Sequence, residues 1–212
     1  MIFTKIKICG ITNLDDAVTA AELGADLLGF IFYPKSPRYI DPQKARDIIA
    51  KIPTFVDTVA VFVNPTLQQV QETAQQGWFN WIQLHGDETP DFCRSLHWLN
   101  IKLIKAVRVK DRSDIDKALT YPTDAVLLDT YTDGLYGGTG QTFDWSLIGY
   151  PPRRIFLSGG IGPHNIRQAL EVGTYGIDIN SGVESAPGKK DPAKLKQLFD
   201  SISRIHGGKV HI

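Results

Sequence analysis

The sequence predicts an α/β protein, a single (β/α)8 barrel of the TIM type with a closed parallel sheet of eight strands. Three observations carry this reading. Eight short β-rich runs recur along the chain, apolar residues at helical spacing lie between most of them, and many helix starts carry a cap-competent residue before a proline. Strands that alternate with helices pair in parallel, because each crossover returns the chain to the same end of the sheet. Eight units in 212 residues leave about 26 residues each, the size of a tight strand–helix module. An open doubly wound sheet satisfies the same alternation and stands as the alternative. No stretch reads as a linker or a low-complexity insert, so residues 1–212 are expected to form one domain.

The strand runs end near Cys9, Phe32, Val63, His85, Val109, Asp129, Ser158 and Asn180. Thr12-Asn13-Leu14-Asp15 reads as a variant capping box opening the first helix, whose apolar stripe is Leu14, Val18 and Ala21. Asp41-Pro42 opens the next, with Ala45, Ile48, Ile49 and Ile52 on its inner face. Asn64-Pro65 and Thr89-Pro90 repeat the pattern after the third and fourth strands. Between Gly134 and Trp145 glycine is frequent, so the helix after the sixth strand is expected to be stunted. Within that region Gly134-Leu135-Tyr136-Gly137-Gly138-Thr139-Gly140 reads either as a lid or as a plain connector. Gly162-Pro163 and Asp191-Pro192 open the last two helices, the final one with Leu195, Leu198, Phe199 and Ile202 at helical spacing.

Composition excludes several function classes. Hydrophobic residues make up 42% and charged residues 22%, enough apolar surface to fold a core and too much for a disordered tail. Lys+Arg and Asp+Glu both number 23, so no broad basic footprint for nucleic acid is expected, although one small anion can be held locally. The longest apolar run, Leu27-Leu28-Gly29-Phe30-Ile31-Phe32, is far short of the roughly 20 residues of a membrane span. Lys5 and Lys7 fall where an export signal needs an apolar run, and the two cysteines, Cys9 and Cys93, point to a reducing, cytoplasmic setting. Two cysteines this far apart make a poor zinc site, so no metal site is expected. The outer helices leave the choice between monomer and homodimer open.

In such a barrel the chemistry lies on the loops at the C-terminal strand ends. Side chains alternate along a strand, so Ile6 and Ile8 face the helices while Lys5, Lys7 and Cys9 face inward. Cys9 then stands at the mouth with Lys7 one step below, either as a thiol whose pKa the lysine lowers or as a small buried hydrophobe. Asp129 ends the apolar run Ala125-Val126-Leu127-Leu128, either organising a turn or serving as an acid at the mouth. Ser158-Gly159-Gly160-Ile161 and Asn180-Ser181-Gly182-Val183-Glu184 together predict a phosphate site after strands 7 and 8, where glycines let backbone N–H groups approach an anion. Arg38, on a loop stiffened by Pro34 and Pro37, suits a ligand carboxylate. His85 is a hydrogen-bond donor, an acid or a structural residue, and Asp178 faces inward either to contact ligand or to neutralise Lys7. Cys93, His97, His206 and His211 read as peripheral or helical.

At these strand ends the chain resembles the phosphoribosylanthranilate isomerase family. The likeness rests on Lys7-Ile8-Cys9-Gly10-Ile11-Thr12, Gly29-Phe30-Ile31-Phe32 with Ser36-Pro37-Arg38, Gln83-Leu84-His85-Gly86 and Leu128-Asp129. It continues through Gly137-Gly138-Thr139-Gly140 with Phe143-Asp144-Trp145 and the two glycine loops. The resemblance implies a cofactor-free Amadori rearrangement in tryptophan biosynthesis, from N-(5′-phosphoribosyl)anthranilate to 1-(o-carboxyphenylamino)-1-deoxyribulose 5-phosphate. By match of motif, Cys9 is the general base, Asp129 the general acid and Arg38 the partner of the anthranilate carboxylate. Gly159, Gly160, Ser181 and Gly182 fall to the phosphate, with His85 and Asp178 as further substrate contacts. Two other readings remain at this point. A different phosphosugar isomerase would need a carboxylate where Cys9 stands, or a glutamate near Asp129. A binding barrel without turnover would need the phosphate loops but not the acid and base.

Overall fold

The computed structural model describes residues 4–131, 142–149 and 154–205. Eight parallel strands form a closed ring: β1 (Lys5–Cys9), β2 (Leu27–Ile31), β3 (Asp57–Phe62), β4 (Trp81–Leu84), β5 (Lys102–Val109), β6 (Ala125–Thr130), β7 (Ile155–Leu157) and β8 (Gly176–Ile179). Each strand pairs with the next, and β8 returns to β1 with Lys7 opposite Asp178. Closure removes the open doubly wound sheet as an alternative. Each observed strand ends within one residue of its predicted end, because the inward and outward alternation that marks a strand stops where the chain turns.

The helices are α1 (Leu14–Leu23), α2 (Pro42–Ile49), α3 (Leu67–Gln75), α4 (Pro90–Arg94) and α5 (Arg112–Ala118), then α6 (Ile166–Glu171) and α7 (Pro192–Ile205). Asp41 and Thr89 cap α2 and α4 ahead of proline, as expected. Asp191 accepts from the N–H groups of Ala193 and Lys194 at the start of α7. Three starts differ from the sequence reading. Asn13 rather than Thr12 caps α1, because the Thr12 hydroxyl donates to Gly188 O across the fold. Thr66 rather than Asn64 caps α3 in a full capping box, since the Asn64 side chain accepts from Asp87 N at 2.7 Å. Helix α6 begins after Asn165, whose side chain instead ties back to Gly162 N and Gly160 O.

After β6, the described residues hold a single 3-10 turn, Trp145–Leu147, in place of an α-helix, in line with the stunted unit expected there. The lid-or-connector segment 134–140 lies outside the described residues, as do His206 and His211. The hydrophobic interior has two shells. Ile6, Ile8, Leu28, Phe30, Val126 and Leu128 pack between the strands and the helices. Cys9, Leu27, Val59, Val61, Trp81, Ile104, Leu127 and Phe156 fill the barrel itself. Strand alternation alone sorts residues between these shells. No helix among the described residues is long and apolar enough to cross a membrane.

Candidate active site

An open cleft of about 680 Å3 sits over the C-terminal strand ends. Cys9, Arg38, His85, Asp129, Gly159, Gly160, Asp178 and Ser181 all line it. Gly182 does not. A Cβ built there would meet Ile161 O at 2.1 Å, so this glycine lets the loops after β7 and β8 pack backbone against backbone behind the lining. Tyr33, Ser36, Val61, Val63 and Asn180 also face the cleft. Asn180 opens one of the two loops that the sequence reading gave to phosphate; the other four had no role there, although Val61 and Val63 follow from alternation along β3.

Cys9 ends β1 and is 4% exposed. Beneath it the Lys7 ammonium lies 2.7 Å from Asp178 Oδ1, and Ser158 Oγ donates to Asp178 Oδ2 at 3.2 Å. Gly29 on the neighbouring strand makes room for both groups: a Cβ there would come within 2.8 Å of the thiol and 3.0 Å of the ammonium. Burial pushes the Cys9 thiol above its ordinary value, and the opposing pull of Lys7 does not prevail. The sequence expectation of a lowered thiol pKa is therefore corrected in its net direction. Burial also opposes the charge on Lys7, but Asp178 and Cys9 outweigh it and raise the lysine. Asp178 thus neutralises Lys7 and faces the cleft at once.

Asp129 stands on β6, three strands from β1 around the ring through β8 and β7. It is 3% exposed; its Oδ1 accepts from Thr130 N at 2.9 Å and its Oδ2 lies 3.1 Å from His85 Nε2. The other imidazole nitrogen, Nδ1, lies 2.8 Å from Gln83 Nε2. His85 is accordingly part of the acid's setting. Its signal in the sequence was the two-residue step from Gln83 to His85 on one strand face.

Arg38 is neither solvated nor unpaired. Its Nε lies 2.9 Å from Glu184 Oε1 and its Nη2 2.8 Å from Glu184 Oε2. Glu184 opens a short hairpin, β9 (Glu184–Ala186) with β10 (Lys189–Lys190), and also accepts from Lys190 Nζ at 3.1 Å. Burial disfavours the Glu184 charge, but Arg38 and Lys190 more than compensate and lower its pKa. Burial lowers Lys190 despite the pull of Glu184. The pairing fixes the guanidinium at the cleft wall. Glu184 was quoted in the motif without a role, since nothing local joins it to Arg38.

On the loop after β7, Gly159 has φ +92° and Gly160 φ +60°, a left-handed turn that L side chains rarely adopt. A Cβ on Gly159 would also fall 2.1 Å from Thr130 Oγ1, so only glycine lets this loop lie against β6. Cys93 takes the helical reading, buried in the core on α4, and His97 the peripheral one. The Cys93 thiol is pushed up to about 11, chiefly by burial, and His97 Nε2 lies 2.8 Å from Pro122 O.

Comparison with known proteins agrees with this geometry. The family model described as N-(5′-phosphoribosyl)anthranilate (PRA) isomerase matches residues 6–201. The chain is 46% identical over 198 residues to the N-(5′-phosphoribosyl)anthranilate isomerase of Geobacter metallireducens, covering 92% of this chain and 96% of that protein. The crystal structure of phosphoribosyl anthranilate isomerase from Thermotoga maritima superposes with a TM-score of 0.88 at 44% identity, covering 95% of this chain and 100% of that one. A crystal structure of the isomerase in complex with reduced 1-(o-carboxyphenylamino)-1-deoxyribulose 5-phosphate superposes with a TM-score of 0.84 at 42% identity, with the same coverage.

Proposed function

The chain belongs to the N-(5′-phosphoribosyl)anthranilate isomerase family, and from that premise we propose how its own residues perform the family's reaction. The enzyme isomerises N-(5′-phosphoribosyl)anthranilate to 1-(o-carboxyphenylamino)-1-deoxyribulose 5-phosphate in tryptophan biosynthesis. Its substrate is a phosphosugar. The role of each side chain is our reading.

Asp129 is the general acid. It gives a proton to the furanose ring oxygen, the ring C–O bond breaks, and the anthranilate nitrogen shares its electron pair to form a protonated imine. That cation acidifies the C–H at the neighbouring carbon. Cys9 is the general base that removes this proton, giving an enolamine that tautomerises to the ketone. The step starts from the Cys9 thiolate, whose charge the neighbouring Lys7 ammonium favours and which is lost as the sulfur takes the proton from carbon; a thiol whose pKa is raised is the stronger base once ionised. Arg38, held by Glu184, faces the anthranilate carboxylate, while Gly159, Gly160 and Ser181 face the phosphate. His85 and Asp178 contact substrate from positions that also hold Asp129 and Lys7. Because Cys9 works only as a free thiol, we place the enzyme in a reducing compartment such as the cytoplasm.

The observation that carries this reading is the meeting of Cys9 and Asp129, 120 residues apart in sequence, on the wall of one cleft. A binding barrel needs the phosphate loops but not that pair. Steady-state turnover of phosphoribosylanthranilate tests it. Cys9→Ala and Asp129→Asn are each expected to lower kcat by at least about 10²-fold with the fold intact. Wild-type turnover in either variant would remove that residue from its role.

A further inference from the structure

Gln83 is fully buried and sits two residues before His85, on the inward face of β4. Its Nε2 lies 2.8 Å from His85 Nδ1, and His85 Nε2 lies 3.1 Å from Asp129 Oδ2. An amide nitrogen donates and never accepts, so Nδ1 must be the acceptor, and the proton of the neutral imidazole stands on Nε2. At the other end of the amide, Gln83 Oε1 is buried without a hydrogen-bond partner among the described residues. Turning the amide over would leave the NH2 group, with two donors, stranded instead. An under-satisfied oxygen is the more tolerable orphan. The fold therefore carries a buried polar group that is only half satisfied, and its one bond is spent on His85.

We propose that Gln83 is a positioning residue for the proton transfer, fixing the Nε2–H form of His85 so that Asp129 receives a hydrogen bond as it gives up its own proton. The inference rests on the reading of Asp129 as the general acid and deepens it. Asp129 delivers its proton to the ring oxygen as the C–O bond breaks, and the electron pair left on the carboxylate is stabilised by the imidazole N–H, which is not itself transferred. In the opposite tautomer Nε2 offers a lone pair. The acid's proton would then be held by the imidazole and not offered to the substrate.

The test combines 15N NMR of the histidine-labelled full chain with kinetics. In the wild type, His85 is expected to be protonated at Nε2 and bare at Nδ1. Gln83→Glu sets an acceptor against Nδ1 and should move a proton there; Gln83→Leu removes the preference. Both are expected to lower kcat about 10- to 100-fold, the usual scale for an outer hydrogen bond that orients a histidine, with KM changed less than about twofold. Gln83→Leu removes the orphaned oxygen but leaves His85 Nδ1 unpaired, so the rates are compared at a temperature where circular dichroism shows both variants folded. Wild-type kcat in both variants, a wild-type proton on Nδ1, or a rate loss in Gln83→Glu with the tautomer unmoved would overturn the proposal. Asp129→Asn separates the two levels. If it turns over normally, the acid assignment and this inference fall together; if it is inactive while the Gln83 variants are normal, only this inference falls.

Discussion

Cys9 and Lys7 show how far alternation reaches and where it stops. Their common face follows from two-residue spacing, and both do face the barrel interior. The sign of the thiol shift does not follow, because it is a contest between burial and a nearby cation. Burial wins, and Asp178 adds to it by opposing the pull of Lys7 on the thiol. The rate of Cys9 alkylation against pH should therefore have a midpoint above that of a free cysteine, and Lys7→Met should move it higher still. The same substitution strands the Asp178 carboxylate, at a cost of about 3–5 kcal/mol, so the comparison belongs at a temperature where circular dichroism shows the variant folded. A midpoint in Lys7→Met equal to or below that of the wild type would mean that the ammonium does not act on the thiol.

Among the elements, the strands were the most readable and the helix starts were off by a residue or more in three cases. Asp41, Thr89 and Asp191 cap where they stand, and among the described residues their side chains bond to the N–H groups of their own helix starts. Thr12 and Asn64 have distant partners, which no local rule anticipates, whereas Gly162 N is taken locally by the Asn165 side chain, three residues on, just ahead of α6. The loop after β7 illustrates the functional consequence. Asn165 holds Gly160 O and Gly162 N, while Gly159 lies against Thr130. The start of α6, the loop after β7 and β6 are thereby joined near Asp129. Gly159→Ala places a Cβ into Thr130 at a positive φ and must shift this loop. The expected effect is a rise in KM of about tenfold, equivalent to about 1.4 kcal/mol of binding, with a smaller effect on kcat. Steady-state kinetics reads this directly, and an unchanged KM would separate the loop from substrate binding.

Over the whole molecule the formal charge is zero, yet charge is unevenly placed: the pairs Lys7–Asp178, Lys105–Glu88 and Lys190–Glu184 are all buried. Both thiols are raised by burial, Cys93 to about 11. Between the ordinary thiol value of about 8.5 and that range, the native state keeps protons that the unfolded chain has lost. Stability contributed by the raised thiols is then present below that window and declines as pH rises through it. Lys190, which is lowered, acts in the opposite sense, so the test isolates one thiol. The drop in Tm from pH 8 to pH 10 should be smaller in Cys93→Ala than in the wild type; an equal drop would mean that Cys93 does not contribute.

The barrel, its strand ends and the inward direction of Cys9 and Asp178 were legible from one dimension, and Asp129 and His85 were legible as polar residues at strand ends. Each depends on periodicity and turn chemistry within a few neighbouring residues. Lys7 with Asp178, across 171 positions, was legible only as one of two alternatives, and Arg38 with Glu184, across 146, and His85 with Asp129, across 44, were not legible. Partners of this kind depend on which residues strand register and ring closure bring side by side, and on how little water is left between them. Those are properties of the closed barrel and of no segment within it.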